Sequence, residues 1–200
     1  MSYTKQPLIA LLLWVGRVLL TIRSYIWAYD QSVWFAEMIP IFLIVVGVVI
    51  VGRTFKFSST AWICMAVLVY MHTIWAHYTF ERVPFDRFTN LFGFERNHYD
   101  RVAHFSVWLY AYAIIEYFQH RKLTKKFRVS VLFGVFTIFT VASLYEIVEW
   151  IYAVQSDPEA WIAFLWSQWD IRDAQKDMLA DGVWALFGAW LYYVQKRLWK

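Results

Sequence analysis

The chain has 200 residues, 60% of them hydrophobic and 22% aromatic, with a formal charge of +4 at pH 7. That length suits one domain, 1–200, and that apolar share excludes an ordinary water-soluble globule. The single cysteine, Cys64, excludes an intramolecular disulfide and a thiolate-rich metal site, and no nucleic-acid partner is expected.

Apolar runs approach the roughly 20 residues that cross a bilayer core, so the expected fold is all-α, a polytopic membrane helix bundle. Spans are expected at about 7–28, 33–52, 60–78, 100–118, 129–152 and 177–195, which makes about six. The amino-terminal MSYTKQPLIALLLWVG has no small-residue cleavage site and is expected to be a retained first span. Alternating connectors gather Lys5, Arg53, Lys56, Arg121, Lys122, Lys125, Lys126, Arg128, Lys196, Arg197 and Lys200 on one side. The positive-inside bias makes that side cytoplasmic, with both termini on it. Asp30, Glu81, Asp86, Glu95 and most other carboxylates fall on or near the opposite face.

Arg17 and Arg23 lie in the first span, where a charge is costly enough to require a partner or a wet cavity. Arg23 and Glu37 stand at similar depth and are expected to pair, while Arg17 has no matched partner. Pro40 marks a kink or a first turn in the second span. The third span carries His72 and His77. The connector 79–99, rich in phenylalanine, is expected to lie in the membrane interface. His98 then precedes a helix in which Asp100 and His104 share a face, with Arg101 between them. Connector 119–128 is a basic topology anchor. After the fifth span, Asp157 and Pro158 start a short interfacial helix marked by Trp161, Phe164, Leu165 and Trp169.

Six acids, Glu146, Glu149, Asp170, Asp173, Asp177 and Asp181, crowd the end of the fifth span and the start of the sixth. Asp173, Asp177 and Asp181 recur every fourth residue, so they line one helical face. His77, His104, Glu149 and Asp177 fall at one depth on four helices and are the expected metal ligands, with Glu146 or Asp173 as general base. His98, Asp100, Arg101, Asp170 and Asp181 complete the expected pocket. Oxygen and imidazole ligands fit zinc, manganese or iron, and magnesium or calcium stays open. Neutralisation by Arg96, Arg101, Arg172 or Lys176 is the competing explanation.

At HYTFERVP, NHYDRVAHF, YEIVEW and DIRDAQKDMLADG the chain resembles the YjdF-type bacterial inner-membrane proteins, a multi-span family without an assigned biochemical function. The resemblance runs from Trp34 to the last span, and a weaker, partial one links the final motif to VanZ-like proteins. It implies a multi-pass protein of the bacterial inner membrane. The family pattern falls on His77, Tyr78, Asn97, His98, Tyr99, Asp100, Arg101, His104, Glu146, Glu149, Gln168, Asp170, Asp173, Gln175, Asp177 and Met178. Trp166, Trp169 and Trp184 depart from it where smaller residues are expected, and Trp108 is oversized beside the histidine motif.

Two functions remain open on the sequence. One is metal-assisted hydrolysis or transfer on a lipid or envelope component, with the bilayer as the protein's setting. The other is a non-catalytic ion network that binds a partner, a lipid or protons. Oligomeric state is open.

Overall fold

The computed structural model describes residues 6–79, 82–95, 97–155 and 172–198, and every regular element among them is helical. The elements are α1 (Gln6–Ile26), α2 (Gln31–Gly52), α3 (Ser59–Tyr78), α4 (Asp86–Phe92), α5 (Tyr99–Val107), α6 (Leu109–His120), α7 (Phe127–Gln155) and α8 (Asp173–Leu198). Four stretches are long and apolar enough to cross a membrane: Leu8–Ile26, Gln31–Gly52, Ser59–Tyr78 and Phe127–Val148. Six were expected, and the difference has two causes. The fourth expected span is interrupted at the single residue Trp108, which itself keeps right-handed helical dihedrals (φ −59°, ψ −24°), so it divides into α5 and α6 of 9 and 12 residues, each short of a span. The sixth, α8, has the length but is less apolar, with Asp181, Trp184, Trp190, Tyr192 and Tyr193 lowering its hydropathy. The expected interfacial helix around Asp157–Trp169 lies outside the described residues.

The chain punctuates itself locally. Asp30 caps α2, its Oδ1 accepting from the amides of Ser32 at 2.8 Å and Val33 at 3.1 Å. Ser58 caps α3 by accepting from the Ala61 amide at 3.2 Å. Gly93, at φ 65°, ends α4 in the left-handed conformation that glycine adopts without strain.

Of the four spans, α3 is the central one: 56% of its apolar window is buried, against 11% for α1 and 17% for α2. It packs on α1, α2, α5 and α6, while α7 and α8 pack on each other and on α6. At one end of the bundle the Tyr29 amide donates to the His77 carbonyl at 3.0 Å, and the Arg82 guanidinium lies 3.8 Å from the Tyr29 ring centroid. At the other, the buried Glu116 accepts from the Ser58 amide at 3.3 Å, so it sits at the positive end of α3. There Gln195 of α8 also bonds Thr60 at 2.8 Å, and Lys196 bonds Gln119 at 2.9 Å.

Two features coincide with the α5–α6 interruption, one local and one distant in sequence. The Ser106 hydroxyl bonds back to the Ala103 carbonyl at 2.6 Å, and such back-bonding bends helices. Gly188 of α8 presses on the break, where a Cβ would stand 2.8 Å from the Trp108 carbonyl oxygen and 3.1 Å from the Ala111 Cβ. Glycine permits this close approach of helices, as small residues do in membranes generally.

One expected pair is corrected. Arg23 is exposed, and Glu37, buried on the side of α2 that faces α3, bonds His72 and Tyr145 instead. Similar depth does not bring two side chains onto facing surfaces.

Gly188→Ala is expected to cost about 1–3 kcal/mol, because the obstacle is backbone and not a movable side chain. Thermal unfolding in detergent measures this, and an unchanged midpoint would refute the close approach. At Asp30, bonds from the Ser32 hydroxyl and then the Val33 amide hold the carboxyl below its ordinary value. The cap therefore stabilises fully above the unfolded-state value and is lost as pH falls through the folded one. Asp30→Ala should cost about 1 kcal/mol at neutral pH, with variant and parent converging in acid.

Candidate functional site: a carboxylate–histidine cluster

Three helices bring acids and a histidine together. His104 of α5, Glu146 of α7 and Asp177 of α8 each offer one ligand atom, and these atoms all lie within 4.8 Å of one another. His104 and Asp177 are buried and Glu146 is half-buried. One turn further along α8, Asp181 is 1% exposed and its Oδ2 lies 3.2 Å from His104 Nδ1. Arg101, one turn before His104 on α5, donates from Nη1 to Asp177 Oδ1. The helical period explains the set: positions 101 and 104 share a face of α5, and 177 and 181 share a face of α8. Glu146 lies two residues before the end of the apolar stretch Phe127–Val148.

A second polar set stands nearby. His72 Nε2 lies 3.0 Å from the Glu37 carbonyl oxygen and 3.3 Å from Glu37 Oε2, and the Tyr145 hydroxyl donates to the same Oε2 at 2.7 Å. Trp75 stacks on His72 at 5.7 Å and meets His104 edge-on at 6.2 Å, so one indole separates the two histidines. Both sets face a cavity of about 60 Å³, whose walls include His72, Trp75, His104, Tyr145 and Asp181.

Of the expected ligands, His104 and Asp177 come together, and Glu146, expected as a base, stands beside them. His77 does not join the group: its Nδ1 lies 3.2 Å from the Ser24 carbonyl oxygen of α1. Five residues separate His77 from His72, so the two rings point about 140° apart, one toward α1 and one toward the cavity. His98 meets Phe94 edge-on at 4.5 Å, just before α5. Asp170 lies outside the described residues, as do the side chains of Asp100, Glu149 and Asp173. The Glu37–His72–Tyr145 set was missed. Its signal was the common depth of His72 and Glu146, with Tyr145 adjacent.

The chain matches, over residues 9–197, the family described as Predicted membrane protein (DUF2238). It belongs to that family. The YjdF-type resemblance corresponds to the same DUF2238 family. No curated protein and no solved structure matches, so the VanZ-like similarity gains no support from them.

For this DUF2238 protein, the tryptophans that depart from the YjdF-type pattern can be placed in part. Trp108 and Trp184, both half-buried, pack with Phe105 and Phe187 at centroid distances of 4.7–6.3 Å. Neither lines the cavity, so neither fills it. Trp166 and Trp169 lie outside the described residues.

Tyr145→Phe deletes the donor to Glu37 and leaves a buried carboxylate oxygen short of a bond. The expected cost is about 1–3 kcal/mol of stability, read as a lower unfolding midpoint in detergent. No loss would show that Glu37 does not depend on the tyrosine.

Proposed function

We propose that His104, Glu146 and Asp177 hold a divalent cation. In this reading the protein is a metal-dependent hydrolase or transferase acting on a lipid or envelope component at the outer face of a bacterial inner membrane. The supporting observation is the approach of one imidazole and two carboxylates, from three helices, to within 4.8 Å. Carboxylates this close repel unless protonated or neutralised, and a divalent cation is one group that neutralises a mixed histidine and carboxylate cluster.

Asp181 at His104 Nδ1 has the arrangement common to metal-binding histidines, in which a carboxylate fixes the ring and the other nitrogen meets the metal. The donor set suits zinc, manganese or iron, with magnesium or calcium as alternatives. A cation held there supplies Lewis acidity and a more acidic bound water. Glu149, three residues beyond Glu146, is the further ligand in this proposal, and Asp173, four residues before Asp177, the general base. The basic residues of the opposite end favour an outward-facing site.

The Arg101–Asp177 bond favours a second reading, a non-catalytic ion network that binds a partner, a lipid or protons. Elemental analysis of protein purified in mild detergent separates the two. The metal reading expects near-stoichiometric metal that is lost in His104→Ala, Glu146→Ala and Asp177→Ala. Asp181→Ala should weaken metal affinity by about 10–100-fold. Parent protein without metal, and variants that are merely less stable, would leave the network reading standing. Headgroup release from reconstituted bilayer lipid, abolished by the same substitutions, is the matching activity readout.

A further inference from the structure

The cavity beside the cluster has a polar end and an apolar end, and the order is the same on three helices. On α3, His72 lines it and so does Leu68, one turn deeper in the bundle. On α7 the pair is Tyr145 and Val141, and on α5 it is His104 and Val107, each apolar partner again about one turn deeper, roughly 5–6 Å. The buried inner wall is Leu68, Ala103 and Ala142. The rim is formed by α2 and α7, through the half-buried Ile44 and the exposed Val141.

Among the described residues α2 packs on α3, and α7 packs on α6 and α8, but α2 and α7 do not pack along each other. The Tyr145–Glu37 bond joins them toward the cluster end. Below that bond Pro40, Ile41 and Ile44 of α2 and Val141 and Ala142 of α7 line the cavity from either side, and its exposed Val141 side faces hydrocarbon in a bilayer. An empty void there forfeits dispersion contacts along its lining, and water at the apolar end finds no polar partners.

We propose that this cavity receives an acyl chain of a membrane phospholipid, entering sideways between α2 and α7, with the chain against Leu68 and Ala103 and its carbonyl-bearing end toward His104 and Asp181. The placement of that polar end at a metal rests on the reading above; the chain site does not. The substrate class this implies is a bilayer lipid presented from within the membrane.

The test uses full-length protein in vesicles of phosphatidylethanolamine and phosphatidylglycerol doped with a phospholipid that carries an alkyl diazirine in its chain. After irradiation, adducts are mapped by peptide mass spectrometry, with the lipid-facing Leu43 as internal standard. Adducts are expected on Leu68 and Ala103, which are buried and reachable only through the cavity. Ile44→Trp and, separately, Val141→Trp plug the rim and should abolish those adducts while the Leu43 adduct and the metal content persist. Absence of adducts on Leu68 and Ala103 in folded parent protein overturns the proposal, as does their persistence in both tryptophan variants. Adducts that follow the expected pattern in protein without metal would sustain the chain site and defeat the metal reading.

Discussion

Asp177 and Asp181 sit one turn apart on α8, almost fully buried, in a bundle whose outer surface is largely apolar. Two carboxylates in that position must be compensated, and much of the architecture supplies the compensation. Arg101 and His104, one turn apart on α5, meet them one to one. Glu146 adds a third acid from α7. A buried ion pair contributes little to stability beyond what apolar residues would give, and its retention is better explained by a use for the polarity.

The helix geometry follows from holding that cluster together. α5 must approach α8 closely enough for arginine to reach aspartate, and Gly188 with the break after Val107 permits it. α3, the most buried span, supplies Trp75 as the wall between the two histidines. Toward the opposite end, Tyr112, Gln195, Thr60, Glu116 and Ser58 form a neutral-to-acidic hydrogen-bond set that ties α3, α6 and α8. One end of the bundle is thus cross-linked by polar contacts that are satisfied locally, while the other carries the carboxylate–histidine cluster.

Much of this was legible in the sequence, because hydrophobic length and helical period are local properties. The four long apolar spans and the shared face of Asp177 and Asp181 need only a count of residues. His104 with Asp177 was also accessible, since depth places both near the same membrane end. What depth cannot give is azimuth. His77 lies near that end yet turns to Ser24, and Arg23 lies near Glu37 yet points outward. The α5–α6 break was hidden for a similar reason: the features that coincide with it are a serine hydroxyl folded back on its own helix and a glycine eighty residues away. The cavity was illegible too, because it arises from two helices that fail to pack, which no single segment encodes.

X-ray absorption spectroscopy of the purified protein, loaded with zinc or manganese, tests the cation site most directly. A mixed shell of imidazole nitrogen and carboxylate oxygen at about 2.0–2.2 Å, without sulfur, is the expected result, and it should lose its imidazole component in His104→Ala. A shell of water oxygens alone, unchanged by His104→Ala, would contradict a metal centre at this cluster.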